Sequence, residues 1–154
     1  MRQISAKYFE CTCKYDKQQE DGSVKKTSGT NVVDALSFAE AEAHFIEEMS
    51  SYVSGEFDVT AIKIAPYKEV FFSDKEEDDR WYKVKVALIT YDEKTGKEKR
   101  SNIYYLVQAA SIDGAIKNTN EVFGSSMMDY MSIAVSETKI FDVFLHTEKK
   151  EETK

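Results

Sequence analysis

The sequence predicts an α+β fold made by internal duplication, in which a ββαβ unit occurs twice and two helices pack on one face of antiparallel sheet. Two observations carry this. "NVVDALSFAEAEA" at 31–43 and "YLVQAASIDGAIK" at 105–117 align with a shift of 74, sharing Val33/Val107, Ala35/Ala109, Ser37/Ser111 and Ala41/Ala115. The segments around them then repeat the same order of hydrophobic patterns within one residue of that offset, which chance resemblance of a short motif does not produce. A unit of about 70 residues lies near the lower limit of independent stability. The two copies are therefore expected to share one pseudo-two-fold domain, as a continuous sheet or as two packed three-stranded sheets.

The first element, "KYFECTCKY", alternates Phe9, Cys11, Cys13 and Tyr15 with Glu10, Thr12 and Lys14, the period-two pattern of a half-buried strand. Asp21-Gly22 supplies a hairpin turn, and "KKTSGTNVVD" returns as the second strand. Ser37, three residues before Glu40, forms a capping box that starts a helix at Phe38. Phe38, Ala41, Phe45, Met49 and Tyr52 form its apolar stripe, and Ser54-Gly55 is the expected stop. "EFDVTAIKIAP" follows as a β-branched strand ended by Pro66.

The second copy runs through the same events. Tyr82, Val84, Val86 and Leu88 alternate in "RWYKVKVALITY", Thr95-Gly96 makes the turn, and "SNIYYLVQA" returns. Ser111 caps a helix carrying Ile112, Ala115, Ile116, Thr119 and Phe123, Gly124 ends it, and "DYMSIAVSE" is the last strand. The segments that follow also agree, "YKEVF" at 67–71 with "IFDVF" at 140–144. We assign one domain over residues 1–147, with repeats at 7–72 and 81–147. The charged stretch "SDKEEDDR" at 73–80 is expected to be a solvated connector, and residues 148–154 a flexible polar tail.

Composition narrows the function. With 28 acidic against 21 basic residues the net charge is -7, which gives no whole-molecule attraction for nucleic acid or anionic lipid. No apolar run reaches the ~20 residues that cross a bilayer, and no export signal opens the chain, so no membrane association and a cytoplasmic location are expected. Cys11 and Cys13 are aligned with Val84 and Val86, which marks them as small core residues rather than metal ligands. His44 has Glu40, Glu47 and Glu48 nearby on its helix, an ordinary solvent-face arrangement; His146 lies near the tail. Asp34 and Glu40 become Gln108 and Gly114 in the second copy. No nucleophile elbow, phosphate loop, dinucleotide fingerprint or zinc-protease motif is present, so the sequence points to no enzyme, no cofactor and no metal.

Two binding modes remain. Phe-rich ends such as "EVFF" and "DVF" and exposed sheet edges suit a protein partner or a second copy of the chain. Alternatively, Lys25-Lys26 and Lys99-Arg100 occupy equivalent places after the two turns, accompanied by Tyr8, Trp81, Tyr104 and Tyr105. Cations that track phosphates and rings that stack on bases are the equipment of single-stranded nucleic acid binding. Lysines on hairpin edges also protect strands from aggregation, which is the plainer role for these pairs.

The phrases "VDALSFAEAEA", "SGEF", "DRWYKVK", "YLVQAA" and "VSETKIFDVF" resemble an uncharacterised domain-of-unknown-function family of small proteins from gut anaerobes and their tailed phages. The resemblance spans nearly the whole chain and implies a bacterial or phage cytosol. It implies no activity, cofactor or site residue.

Overall fold

A computed structural model describes residues 7–146. In chain order the elements are β1 (Lys7–Gln18), β2 (Val24–Ala35), α1 (Phe38–Met49), β3 (Phe57–Ile64), β4 (Tyr67–Phe71), β5 (Arg80–Tyr91), β6 (Glu98–Ala109), α2 (Ile112–Phe123), β7 (Asp129–Glu137) and β8 (Ile140–Phe144). They form two four-stranded sheets with strand orders β3-β1-β2-β8 and β4-β6-β5-β7. The fold is thus α+β with two separate sheets, each one strand wider than the sequence predicts, because "YKEVF" and "IFDVF" are strands. The expected tail at 148–154 lies outside the described residues.

The duplication extends to the register. Phe9 faces Val33 across the first hairpin, as Tyr82 faces Val107 across the second. A bulge interrupts β1 against β3 between Thr12 and Cys13, and its counterpart interrupts β5 against β7 between Lys85 and Val86. Both hairpin turns need a left-handed residue, which Gly22 (φ 85°) and Gly96 (φ 69°) provide without a Cβ clash. Ser37 Oγ accepts from the Glu40 amide at 3.2 Å and Ser111 Oγ from the Gly114 amide at 3.0 Å, so both helices begin where the serines place them.

The last strand of each repeat joins the sheet of the other. β8 lies parallel to β2, and β4 lies parallel to β6. Accordingly one compact unit runs through Ala65 and resumes at Lys139, while the other is Pro66–Thr138. The cause is local. β2 and β3 both run antiparallel to β1, so the free edge of β2 calls for a strand parallel to β3. Only Ala65 and Pro66 separate β3 from β4, and a parallel return needs a dozen residues or more. β4 therefore cannot fill that edge itself and joins the other sheet, as β8 does after Thr138 and Lys139.

In the first unit Phe9, Cys11, Cys13, Val33, Ala41, Phe45 and Met49 form the core between α1 and its sheet. In the second, Tyr82, Val84, Val86, Tyr105, Val107, Ala115 and Phe123 do the same beneath α2. Two details differ from the sequence reading. α1 ends at Met49 rather than near Ser54, and the chain passes into turns in which the Tyr52 and Val53 amides both bond to the Met49 carbonyl; Tyr52 is left exposed. The connector is not wholly solvated: Asp78 is buried and accepts from the Ser73 hydroxyl and from Asn118 Nδ2.

Candidate functional site

Lys25 and Lys26 are exposed on β2, and Lys99 and Arg100 on β6. Arg100 Nε lies 3.3 Å from Glu98 Oε2, an exposed pair that contributes little. The aromatic companions are less available. Trp81 is 2% exposed, edge-on to Phe72, and Tyr105 is 5% exposed, stacked on Phe71 with centroids 5.0 Å apart. Both are core residues with no face to offer a base, which corrects the stacking role expected of them. Alternation explains Tyr105: it points to α2, whereas Tyr104 points to the opposite face. Tyr104 and Tyr8 are half-buried, and Lys83 Nζ already sits 4.6 Å from the Tyr104 ring centroid.

A different feature separates the two units. The first contains a cavity of about 250 Å³ lined by Tyr15, Gly29, Asn31, Met49, Asp142 and Phe144, with Tyr52 and Phe141 adding exposed rings. In the second unit the residues aligned with Gly29, Asn31 and Met49 are Ile103, Tyr105 and Phe123. There Tyr105 stacks on Phe71, meets Phe123 edge-on at 5.4 Å, and Phe123 contacts Tyr130 at 5.0 Å. The same fold thus fills with aromatic rings a space that it leaves open in the first unit. Gly29 and Asn31 open it, since neither projects apolar bulk, and Asn31 Nδ2 turns instead to Met49 Sδ at 3.3 Å.

The walls are apolar except at Asn31 and Asp142. Burial pushes the Asp142 carboxyl above the ordinary aspartate range, opposed by the Val143 amide that donates to it at 2.8 Å and reinforced by the charge of Glu48. Phe141, 72% exposed, and Tyr52, 67% exposed, stand in solvent beside this partly polar hollow. Large exposed rings at a concave site are the usual anchors of a binding surface.

In the same unit, a second cluster gathers residues that the sequence reading had treated as ordinary. Asp34 at the end of β2, His44 on α1 and His146 just after β8 each offer a ligating atom within 4.8 Å of the others. Asp34 Oδ1 accepts from the His146 amide at 3.0 Å and lies 2.8 Å from His146 Nδ1. The two imidazoles lie against each other with centroids 3.8 Å apart and planes tilted by 35°. Strand exchange assembles this group: His146 is 102 residues from His44 in the chain and arrives only because β8 joins the first sheet. The repeat alignment was the signal that could have found it, for Ser73, Gln108 and Asn118 hold the equivalent positions.

A family described as "Domain of unknown function (DUF4494)" matches residues 7–146. The chain belongs to that family. No curated protein matches it. Among the described residues, no helix is long and apolar enough to cross a membrane.

Proposed function

We propose that this DUF4494 protein is a non-enzymatic binding protein that engages a protein partner through the first unit, taking an aromatic side chain into the cavity beside Asn31 and Asp142. The observation that carries the reading is the difference between the two units. Where the second holds Ile103 and Tyr105, the first holds Gly29 and Asn31 and stays open. Tyr105 against Phe71 shows the kind of group that this fold accommodates there, and Phe144 is the ring aligned with Phe71. The exposed Tyr52 and Phe141 rings would extend the contact beyond the cavity. A second copy of the chain is a special case of such a partner. A bacterial or phage cytosol is the setting that the family resemblance supports.

The test fills the hollow with the chain's own alternative. A Gly29→Ile, Asn31→Tyr variant copies the second unit, and a Cβ at Gly29 meets only Tyr15 at 3.7 Å. Peptides selected from a displayed library on the wild-type protein are expected to carry an aromatic anchor and to lose at least about tenfold in affinity for the variant, since a buried aromatic anchor is worth ~2 kcal/mol or more. Equal binding to both proteins, or no enrichment, would sink the reading. Single-stranded nucleic acid is the competing ligand class, through Lys25, Lys26, Lys99 and Arg100. It requires binding of labelled single-stranded DNA that weakens steeply with salt and disappears when those four charges are reversed.

A further inference from the structure

We infer that Asp34, His44 and His146 form a binding site for one divalent first-row transition ion, a role independent of the aromatic cavity. The first argument is the donor set. Two imidazoles and a carboxylate with positions left open is a ligand combination that such ions take, and here the three come from a strand end, a helix and the residues after an exchanged strand. Asp34 at a strand end and His44 on a helix are held by regular structure, and His146 is fixed to Asp34 by its amide and its ring, which preorganises the three donors.

The second argument is the environment of His44. Its ring is 4% exposed, and Nε2 is shut away from solvent with no hydrogen-bond partner. Nδ1 lies 3.6 Å from Asp34 Oδ1 and Nε2 lies 3.6 Å from Glu48 Oε1. Such separations are too long for hydrogen bonds. The Nδ1–Asp34 separation matches the ~3.3–3.6 Å edge between neighbouring donors around an ion with 2.0–2.2 Å bonds, which makes Nδ1 the ligating atom of His44.

The third argument is the control built into the chain. In the second unit the aligned residues are Gln108, Asn118 and Ser73. Two of the contacts are the same: the Ser73 amide donates to Gln108 Oε1 at 2.9 Å as the His146 amide donates to Asp34 Oδ1, and Asn118 Nδ2 donates to the Gln108 carbonyl at 2.9 Å where His44 Nδ1 faces the Asp34 carbonyl at 3.2 Å. Amides and a hydroxyl hold these three positions, with the buried Asp78 carboxylate accepting from Ser73 and Asn118 beside them. The fold does not require two histidines and an aspartate there, so their presence in the first unit calls for a ligand rather than for packing.

The experiment uses the chelator-treated full chain, titrated with zinc chloride by calorimetry and with cobalt chloride by visible absorption. One ion per chain is expected at micromolar affinity or tighter, with the visible bands of nitrogen-ligated cobalt. The Asp34→Gln, His44→Asn, His146→Ser variant places the second unit's residues at these three positions and is expected to keep the circular dichroism of the parent. Its affinity should fall by at least about tenfold, since even groups that merely orient metal ligands are worth 10–100-fold. His146→Ser alone, at an exposed position, gives the same reading should the triple variant fold poorly. Affinity unchanged in both variants would overturn the inference. So would failure of the wild type to bind either ion at millimolar concentration, leaving the cluster as a hydrogen-bonded His146–Asp34 pair beside His44.

Discussion

Cys11 and Cys13 sit on the face of β1 that points into the first core, and both are fully buried. Burial, with a smaller contribution from the charge of Glu10, pushes the Cys11 thiol up to about 12, and burial raises Cys13 as well. A thiol that cannot ionise is a poor nucleophile and a poor metal ligand. Ellman's reagent should therefore titrate neither cysteine in the native protein at pH 8 and both in denaturant; fast native labelling would show that this face of β1 opens. Asp142 makes the complementary case. Its folded carboxyl binds protons more tightly than its unfolded one, so its contribution to stability is lost as pH rises from the ordinary aspartate value through the raised one. Asp142→Asn keeps an acceptor for the Val143 amide and removes the buried charge. It should raise the urea midpoint at pH 7, with an advantage that shrinks toward about pH 4. An advantage independent of pH would place the effect elsewhere.

At the scale of the element, period and caps decided most of the outcome. β1 and β5 are visible as strands because alternation is a property of neighbours in sequence, and the helix starts are visible because Ser37 and Ser111 act three residues away. The end of α1 was not visible. Residues 50–52 form turns, with the Tyr52 and Val53 amides sharing the Met49 carbonyl, a change of hydrogen bonding that no residue nearby marks in the sequence. β4 and β8, five residues each, carry too little pattern to reveal their sheet, although the two-residue links before them already forbid a parallel return to their own. The same links supply the site, since β8 contributes Asp142 and Phe144 to the cavity and delivers His146 to Asp34.

At the scale of the whole molecule, each repeat lacks the strand that would complete its own sheet. Expressed alone, residues 7–72 would carry β4 with no β6 to receive it and β2 with an open edge. Two copies can satisfy both needs by exchanging β4, so light scattering should give a dimer mass for the isolated first repeat. A folded monomer would mean that β4 turns back into its own sheet and would refute the linker argument. The candidate site followed a different logic from the fold. Of the eight residues singled out in the sequence, Trp81 and Tyr105 proved to be core, and Lys25, Lys26, Lys99 and Arg100 remain as exposed cations. The cavity and the histidine cluster were hidden because each depends on residues far apart in the chain. Both are traceable in retrospect to places where the copies disagree, at Gly29 and Asn31, and at Asp34, His44 and His146.

By itself the sequence determined the duplication, the strand phase, both helix caps and the burial of the two cysteines, because these depend on residues within a few positions of one another or on a constant offset. Only the tertiary structure decided the exchange of β4 and β8, the open cavity in the first unit and the meeting of His44 with His146. Those features depend on which sheet edge a short strand can reach, and that is settled by the direction of neighbouring strands and the length of the link.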